Sequence, residues 1–262
     1  MSSTDHRISS NLFLLKELVV RDVRSRYAGS GLGLAWAFAN PILWMVLYTA
    51  VFAGILRVPI PARFATFPEF LMAGLLPWMA IQEGISRSAS ALSDNAAMVK
   101  KMVFPVETLI LSIVLAALFN QAIALAVYAV YVALLGHLSL SWLALVLPAL
   151  LLQAALTFGA GCLASTVTAF VRDAVHAIAI LLTVVFFATP IVYPAELVPE
   201  RFRPFLQANP VAHLTDWYRR AFTLHSWPEP DSVLYLVLVC GALVLVGHAV
   251  FAKARPHFAD LI

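Results

Sequence analysis

Six stretches of this 262-residue chain are apolar over about 20 residues or more, and no other feature limits its fold so tightly. They run 34–56, 69–91, 107–135, 142–168, 174–193 and 233–251. A hydrocarbon core of ~30 Å is crossed by about 20 helical residues, and within it the backbone must satisfy its own polar groups. Each stretch therefore reads as a spanning helix. Composition agrees: 62% of residues are hydrophobic and only 12% are charged, about half the charge of a soluble domain. The fold class expected is an all-α membrane protein with six transmembrane helices. The first and sixth stretches contain no Asp, Glu, Lys or Arg, whereas the second carries Glu83 and Arg87.

The segment 1–33 ahead of the first span is polar and holds five basic residues, Arg7, Lys16, Arg21, Arg24 and Arg26. With 23 residues, the first apolar run is longer than a signal-peptide core of about 7–15, so it reads as an uncleaved span. Basic residues favour the cytoplasmic side, which places the leader there, and six spans return the other end to the same side. In this topology 11 Lys and Arg lie inside and 6 outside. The net charge of +3 follows from that scatter and points away from nucleic-acid binding, which needs basic residues gathered on one face. Within the leader, Leu12, Leu15, Val19 and Val23 recur at helical spacing while Lys16, Glu17, Arg21 and Arg24 take another side. The spacing predicts an amphipathic helix lying flat in the cytoplasmic interface, with its arginines near anionic headgroups. Gly29, Gly31 and Gly33 fit neither a dinucleotide fingerprint nor a Walker loop, so their use is conformational, a bend from a flat helix into a vertical one. Cys162 and Cys240 fall inside spans and read as inert packing residues.

Three loops and the aromatic residues carry the remaining information. In 93–105, Asp94 can cap a short helix that offers Lys100 and Lys101 as charge and Met98, Val99, Met102, Val103 and Phe104 as an apolar face before Pro105 ends it. Such a helix serves a docked partner, or else is a linker marking the inner face. Arg172 and Asp173, after the fourth span, read locally as an interfacial ion pair. The outer loop 194–232 contains six prolines, yet residues 211, 214, 218, 221 and 222 are apolar at helical spacing. Pro190 disfavours helix at Thr189, so the fifth helix should break there. Glu83 and Arg87 stand four apart in the order that favours a structural self-pair over a proton site. Trp36, Trp44, Tyr48, Trp78, Tyr128, Tyr131, Phe186, Phe187 and Tyr193 supply ring faces that suit sugars sliding past, or an interfacial belt.

In order along the chain, RDVRSRY leading into SGLGLAWAFANPILWMVLYTAVF, then MVKKMVFPVETL, FVRD and TPIVYP resemble permease subunits of type-2 ABC exporters. The likeness is greatest to those that export polysaccharides such as O-antigen, capsule or teichoic acid. The resemblance implies a leader, 1–33, whose interface helix carries Arg21, Arg24, Arg26 and Tyr27, followed by one six-span domain, 34–262. It implies a coupling helix in 93–105 that presents Met98, Lys100, Lys101, Phe104 and Pro105 to an ATPase, with Arg172 and Asp173 as a second contact. It implies re-entrant helices in 194–232 that narrow an exit, with Trp36, Tyr48, Tyr193, Trp217 and Tyr218 on the substrate path. For Tyr193 the ring, and not the hydroxyl, is the part expected to matter. A homodimer would bind two ATPase chains, which hold ATP and Mg, leaving this chain without catalytic residues, metal or cofactor. The substrate would be a lipid-linked polysaccharide crossing the bacterial inner membrane, with both termini cytoplasmic. The alternatives are a lipid-modifying integral membrane enzyme and an ion-coupled carrier.

Overall fold

The computed structural model describes residues 3–27, 31, 33, 35–101, 105–139 and 141–261. Among these residues the structure is helical, with no strand. Helix α1 spans Ser3–Tyr27. α2, Ala35–Tyr48, continues through a π-helical stretch, Thr49–Ile55. α3, Phe67–Asp94, is followed by the short α4, Ala96–Lys101, then by α5, Glu107–Leu134, and α6, Ser141–Phe170. α7 covers Ala174–Ala188, α8 Arg203–Gln207 and α9 Pro210–Arg219. α10, Pro230–Ala254, leads through the tight turn Arg255–His257 into α11, Phe258–Leu261.

Four stretches are long and apolar enough to cross a membrane: Ala35–Ile55, Glu107–Leu134, Ser141–Phe170 and Pro230–Leu261. The other two expected spans differ from the reading in instructive ways. α7 stops at Ala188 instead of reaching 193, because Pro190 forces Thr189 into an extended conformation (φ −101°, ψ 135°). Its 15 residues measure about 22 Å, short of a full hydrocarbon crossing. α3 has the length, at 28 residues, but carries Glu69, Glu83, Arg87 and Asp94. Its apolar face packs against α5, α6, α7 and α9, buried Glu69 accepts from the Ala65 amide, Glu83 and Arg87 are partly exposed and paired, and Asp94 is exposed. Its start is set by a capping motif in TFPE: the Thr66 hydroxyl accepts from the Glu69 amide at 3.3 Å, and the Glu69 carboxylate accepts from the Ala65 amide at 2.7 Å.

Small residues bring α6 and α10 into backbone contact. A Cβ on Gly247 would overlap the Gly159 carbonyl, and one on Gly159 would overlap the backbone at Leu243. Two apolar clusters result. The larger joins α3, α5, α6, α9 and the π-helical stretch Arg220–Leu224 around Phe70, Trp78, Tyr128, Trp217, Tyr218 and Phe222. The smaller one gathers α3, α4, α5, α6, α10 and α11 around Val99, Ile110, Phe251 and Phe258. Of the leader glycines, Gly33 has a positive φ of 51°, a left-handed geometry that glycine adopts without strain.

Candidate functional site

Helix α1 is strapped to the bundle by an ionic network that the leader alone does not reveal. Asp22 of α1 accepts both Arg87 guanidinium nitrogens, one at 2.8 Å, and pairs with Arg26 at 3.4 Å. Arg26 in turn pairs with Glu83, which lies 3.6 Å from Arg87. One turn earlier, Arg21 donates to the Asn95 side chain at 3.3 Å, in the turn between α3 and α4. Burial raises the Asp22 carboxyl pKa, but the hydrogen bond from Arg87 and the charges of Arg87 and Arg26 outweigh it, holding the group below the usual carboxylate value. Two of the three arginines read as headgroup contacts are therefore engaged with α3 and its C-terminal turn, while Arg24 is exposed. The physical reason is Asp22, which places a carboxylate between the two helices. The Glu83–Arg87 pair is present geometrically, shared with α1. The Tyr27 side chain lies outside the described residues.

The second feature is the turn of the chain around α4. Lys100 and Lys101 project from α4 into solvent and Met98 is half-buried. Val99 turns inward with no exposure and packs in the smaller cluster, so it is not offered to a partner. Asp94 ends α3, accepting from the Ser90 hydroxyl at 2.7 Å, and does not cap α4. Phe104 lies outside the described residues; Pro105 follows them, half-buried. Arg172 and Asp173 are exposed in the turn between α6 and α7. A cleft of about 230 Å³ brings Arg172, Ala96 of α4, Ser93 of α3 and Leu261 of α11 together.

At the opposite end of the bundle, α9 lies packed among the other helices. The Tyr218 hydroxyl donates to the Gln153 side chain at 2.7 Å and accepts from Gln121 at 3.2 Å. Gln153 also donates to Gln121 at 2.6 Å and to the Pro77 carbonyl at 3.3 Å. Gln153 is 12 residues into α6, about 18 Å from its N-terminal end. Trp217 donates to the Leu145 carbonyl at 3.0 Å. With exposures of 1% and 0%, Trp217 and Tyr218 are core residues and not the rim of an opening, because α9 turns its apolar face into the bundle. Arg219, which the sequence reading counted only as outer-loop charge, is 5% exposed and donates to the carbonyls of Pro190 at 2.6 Å, Ile191 at 2.8 Å and Phe70 at 3.3 Å. Its guanidinium also lies 3.9 Å over the Phe70 ring. It thus satisfies the carbonyls exposed where Pro190 breaks the chain. Tyr193 is half-buried, and its hydroxyl donates to the Phe187 carbonyl at 2.6 Å, a bond that its sequence spacing did not point to.

Between α2, α3 and α7 runs an aromatic groove of about 360 Å³ lined by Trp44, Tyr48, Trp78, Phe186 and Phe187, with Gln82 and Thr183 as its polar groups. The rings of Trp44 and Tyr48 are 5.6 Å apart, and those of Trp78 and Phe186 5.8 Å. Trp36 is separated from it, lining a cleft of about 380 Å³ between α2, α3 and α5 that contains Arg26 and Glu83. Tyr128 and Tyr131 belong to the packing: Tyr128 donates to the Glu69 carbonyl at 2.7 Å, and Tyr131 shares a hydrogen bond with Thr66 at 2.9 Å.

These features define a multi-pass α-helical membrane protein with α1 strapped to one end of the bundle and the opposite end filled by its own loop helix. Residues 14–223 match the family described as "ABC-2 type transporter". The chain is 32% identical over 252 residues to the "O-antigen export system permease protein RfbA" of Myxococcus xanthus, covering 95% of each chain. It is 31% identical over 264 residues to the protein of the same description from Klebsiella pneumoniae, covering 98% of this chain and 99% of the relative. Over 250 residues it is 26% identical to the "Polysialic acid transport protein KpsM" of Escherichia coli, covering 90% and 92%. The chain belongs to the ABC-2 type transporter family, whose permeases work with an ABC ATPase and are transport components, not enzymes.

Proposed function

We propose that this chain is the permease of an ATP-driven exporter that moves a lipid-linked polysaccharide outward across the bacterial inner membrane. The aromatic groove carries the reading. Uncharged ring faces of Trp44, Tyr48, Trp78, Phe186 and Phe187 form a continuous strip in which sugar rings can stack without capture. The groove opens on α2 and α7, the two apolar helices that bury least within the chain, Ala37 and Pro41 on one and Leu182 on the other. A second copy facing these helices would close the strip into a channel. Similarity to relatives described as exporting O-antigen and polysialic acid supports the substrate class.

In this reading six segments span: α2 with its π-helical extension, α3, α5, α6, α7 and α10, and both termini are cytoplasmic. The leader 1–33 and a single domain from 34 to 262 are the working units. The short α7 is completed by the segment 189–224, which re-enters from outside; Arg219 satisfies its Pro190 and Ile191 carbonyls at that depth, and the Gln121–Gln153 pair satisfies the hydroxyl of Tyr218. Two ATPase chains bind below and hold ATP and Mg; Lys100, Lys101, Met98, Arg172 and Asp173 face them. Tyr193 narrows the exit and Tyr48 lines the path, while Trp36 lines the separate cleft beside Arg26 and Glu83.

The test is purification of the complex with its ATPase, followed by native mass spectrometry. Two copies of each chain with a bound lipid-linked glycan are expected. A monomeric permease, or a complex that retains no glycolipid while the same lipid extract contains it, would remove the reading.

A further inference from the structure

The coupling helix is held from behind by a segment that no motif points to. Val99 of α4 is fully buried in the smaller cluster, and the facing wall includes Phe258 of α11 and Phe251 of α10, both with no exposure and with rings 5.0 Å apart at 64°. Leu261 lines the same cleft as Ala96 and Arg172. Arg255, in the turn before α11, reaches Glu107 at the start of α5 at 3.5 Å, so the segment is anchored on both sides of α4. Beyond Phe251, α10 meets α6 backbone to backbone at Gly247 and Gly159, a contact with no compliant side chain in it.

From this arrangement we propose that residues 255–261 form a third transmission arm, with Phe258 as the positioning residue that makes α10 and α6 move with α4. The chain's covalent path gives α4 only two outlets, α3 and α5. Packing at Phe258 supplies the other, since a displacement of Val99 is passed through a close-packed ring pair to α10 and from there to α6. The inference rests on α4 being the surface on which the ATPase pushes. Phe258 touches neither motor nor substrate; it acts through Val99.

The experiment measures polysaccharide exported per ATP hydrolysed, together with ATPase binding, in proteoliposomes containing the full complex. Phe258→Ala is expected to lower export per ATP by about threefold or more while ATPase binding stays within about twofold. Phe258→Leu, which keeps most of the volume, should recover part of the loss. Arg255→Gln, at the surface, should shift the ratio in the same direction and keeps the test decisive if Phe258→Ala does not accumulate in the membrane. An unchanged ratio in Phe258→Ala, or in Arg255→Gln where the former is not obtained, would overturn the proposal. Lys100→Glu with Lys101→Glu is measured in parallel: full binding and export there would remove α4 from motor contact and so fail the underlying reading, whereas their loss alongside a silent Phe258→Ala fails the third arm alone.

Discussion

Replacing Asp22 by Asn removes the carboxylate that receives both nitrogens of Arg87 and pairs with Arg26, while leaving the shape of α1 unchanged. A charge-assisted hydrogen bond contributes about 1.5–3 kcal/mol net, and two are made here in a bidentate fork. The Arg87 side chain is 37% exposed, which weakens the pair, and Glu83 at 3.6 Å still serves Arg87 after the change. We therefore expect a loss of about 2 kcal/mol in the docking of α1 onto α3, or roughly 30-fold in the docking equilibrium. Hydrogen exchange of the amides in 12–26 reads that equilibrium directly, because undocking is a sub-global opening. Exchange should rise roughly 30-fold in the variant, and Asp22→Asn combined with Arg87→Gln should add little to either change alone. The pH dependence has a definite sign. Asp22 has a lowered folded pKa, so its stabilisation is fully present above the unfolded value of about 3.9 and is lost as pH falls through the folded value. Corrected for intrinsic rates, protection of α1 should be flat between about pH 5 and 8 and fall only below about pH 4, a fall that the Asn variant lacks. Unchanged exchange in Asp22→Asn, or strictly additive effects of the two substitutions, would refute the strap.

Three further outcomes follow from the outer end and the bundle. Tyr193→Phe leaves the Phe187 carbonyl without its 2.6 Å donor and should cost about 1 kcal/mol of thermal stability in detergent, with Tyr193→Ala costing more and also lowering export. Arg219→Gln strands up to three carbonyls at 5% exposure and should destabilise by about 3 kcal/mol or more, measured by thermal unfolding of the purified permease. Gly247→Leu drives a side chain into the Gly159 backbone and should cost about 1–3 kcal/mol, whereas Gly241→Leu, which meets nothing within 4 Å, should be near neutral by the same measurement.

Much of the fold was written locally. Apolar runs located α2, α5, α6 and α10, and Pro190 foretold the break that ends α7 at Ala188. The spacing of Val211, Leu214, Tyr218, Ala221 and Phe222 named one face of α9 and the π-helical stretch that continues it, and all five are buried. Periodicity says which residues share a face but not what that face meets, and for that reason Trp217 and Tyr218 were read as an open rim when they fill the core. The strap was half legible: Glu83 and Arg87 are a visible four-residue pair, but their joining to Asp22 and Arg26 depends on α1 folding back against a helix some 60 residues on. Arg219 carried no local signal at all, because its partners are carbonyls, which every residue has. Phe258 lies in a short segment without a long apolar run, so only the packed structure connects it to Val99.

The most direct measurement places this permease and its ATPase in liposomes, with the lipid-linked polysaccharide initially confined to the ATPase side, and follows the polymer's susceptibility to a glycosidase added to the opposite side. The account predicts cleavage that grows with time only when both subunits and ATP with Mg are present, and that slows when Trp44 and Phe186 are replaced by Ala while ATP hydrolysis continues. Polymer that stays protected under those conditions, or that crosses at the same rate without the ATPase, would contradict it.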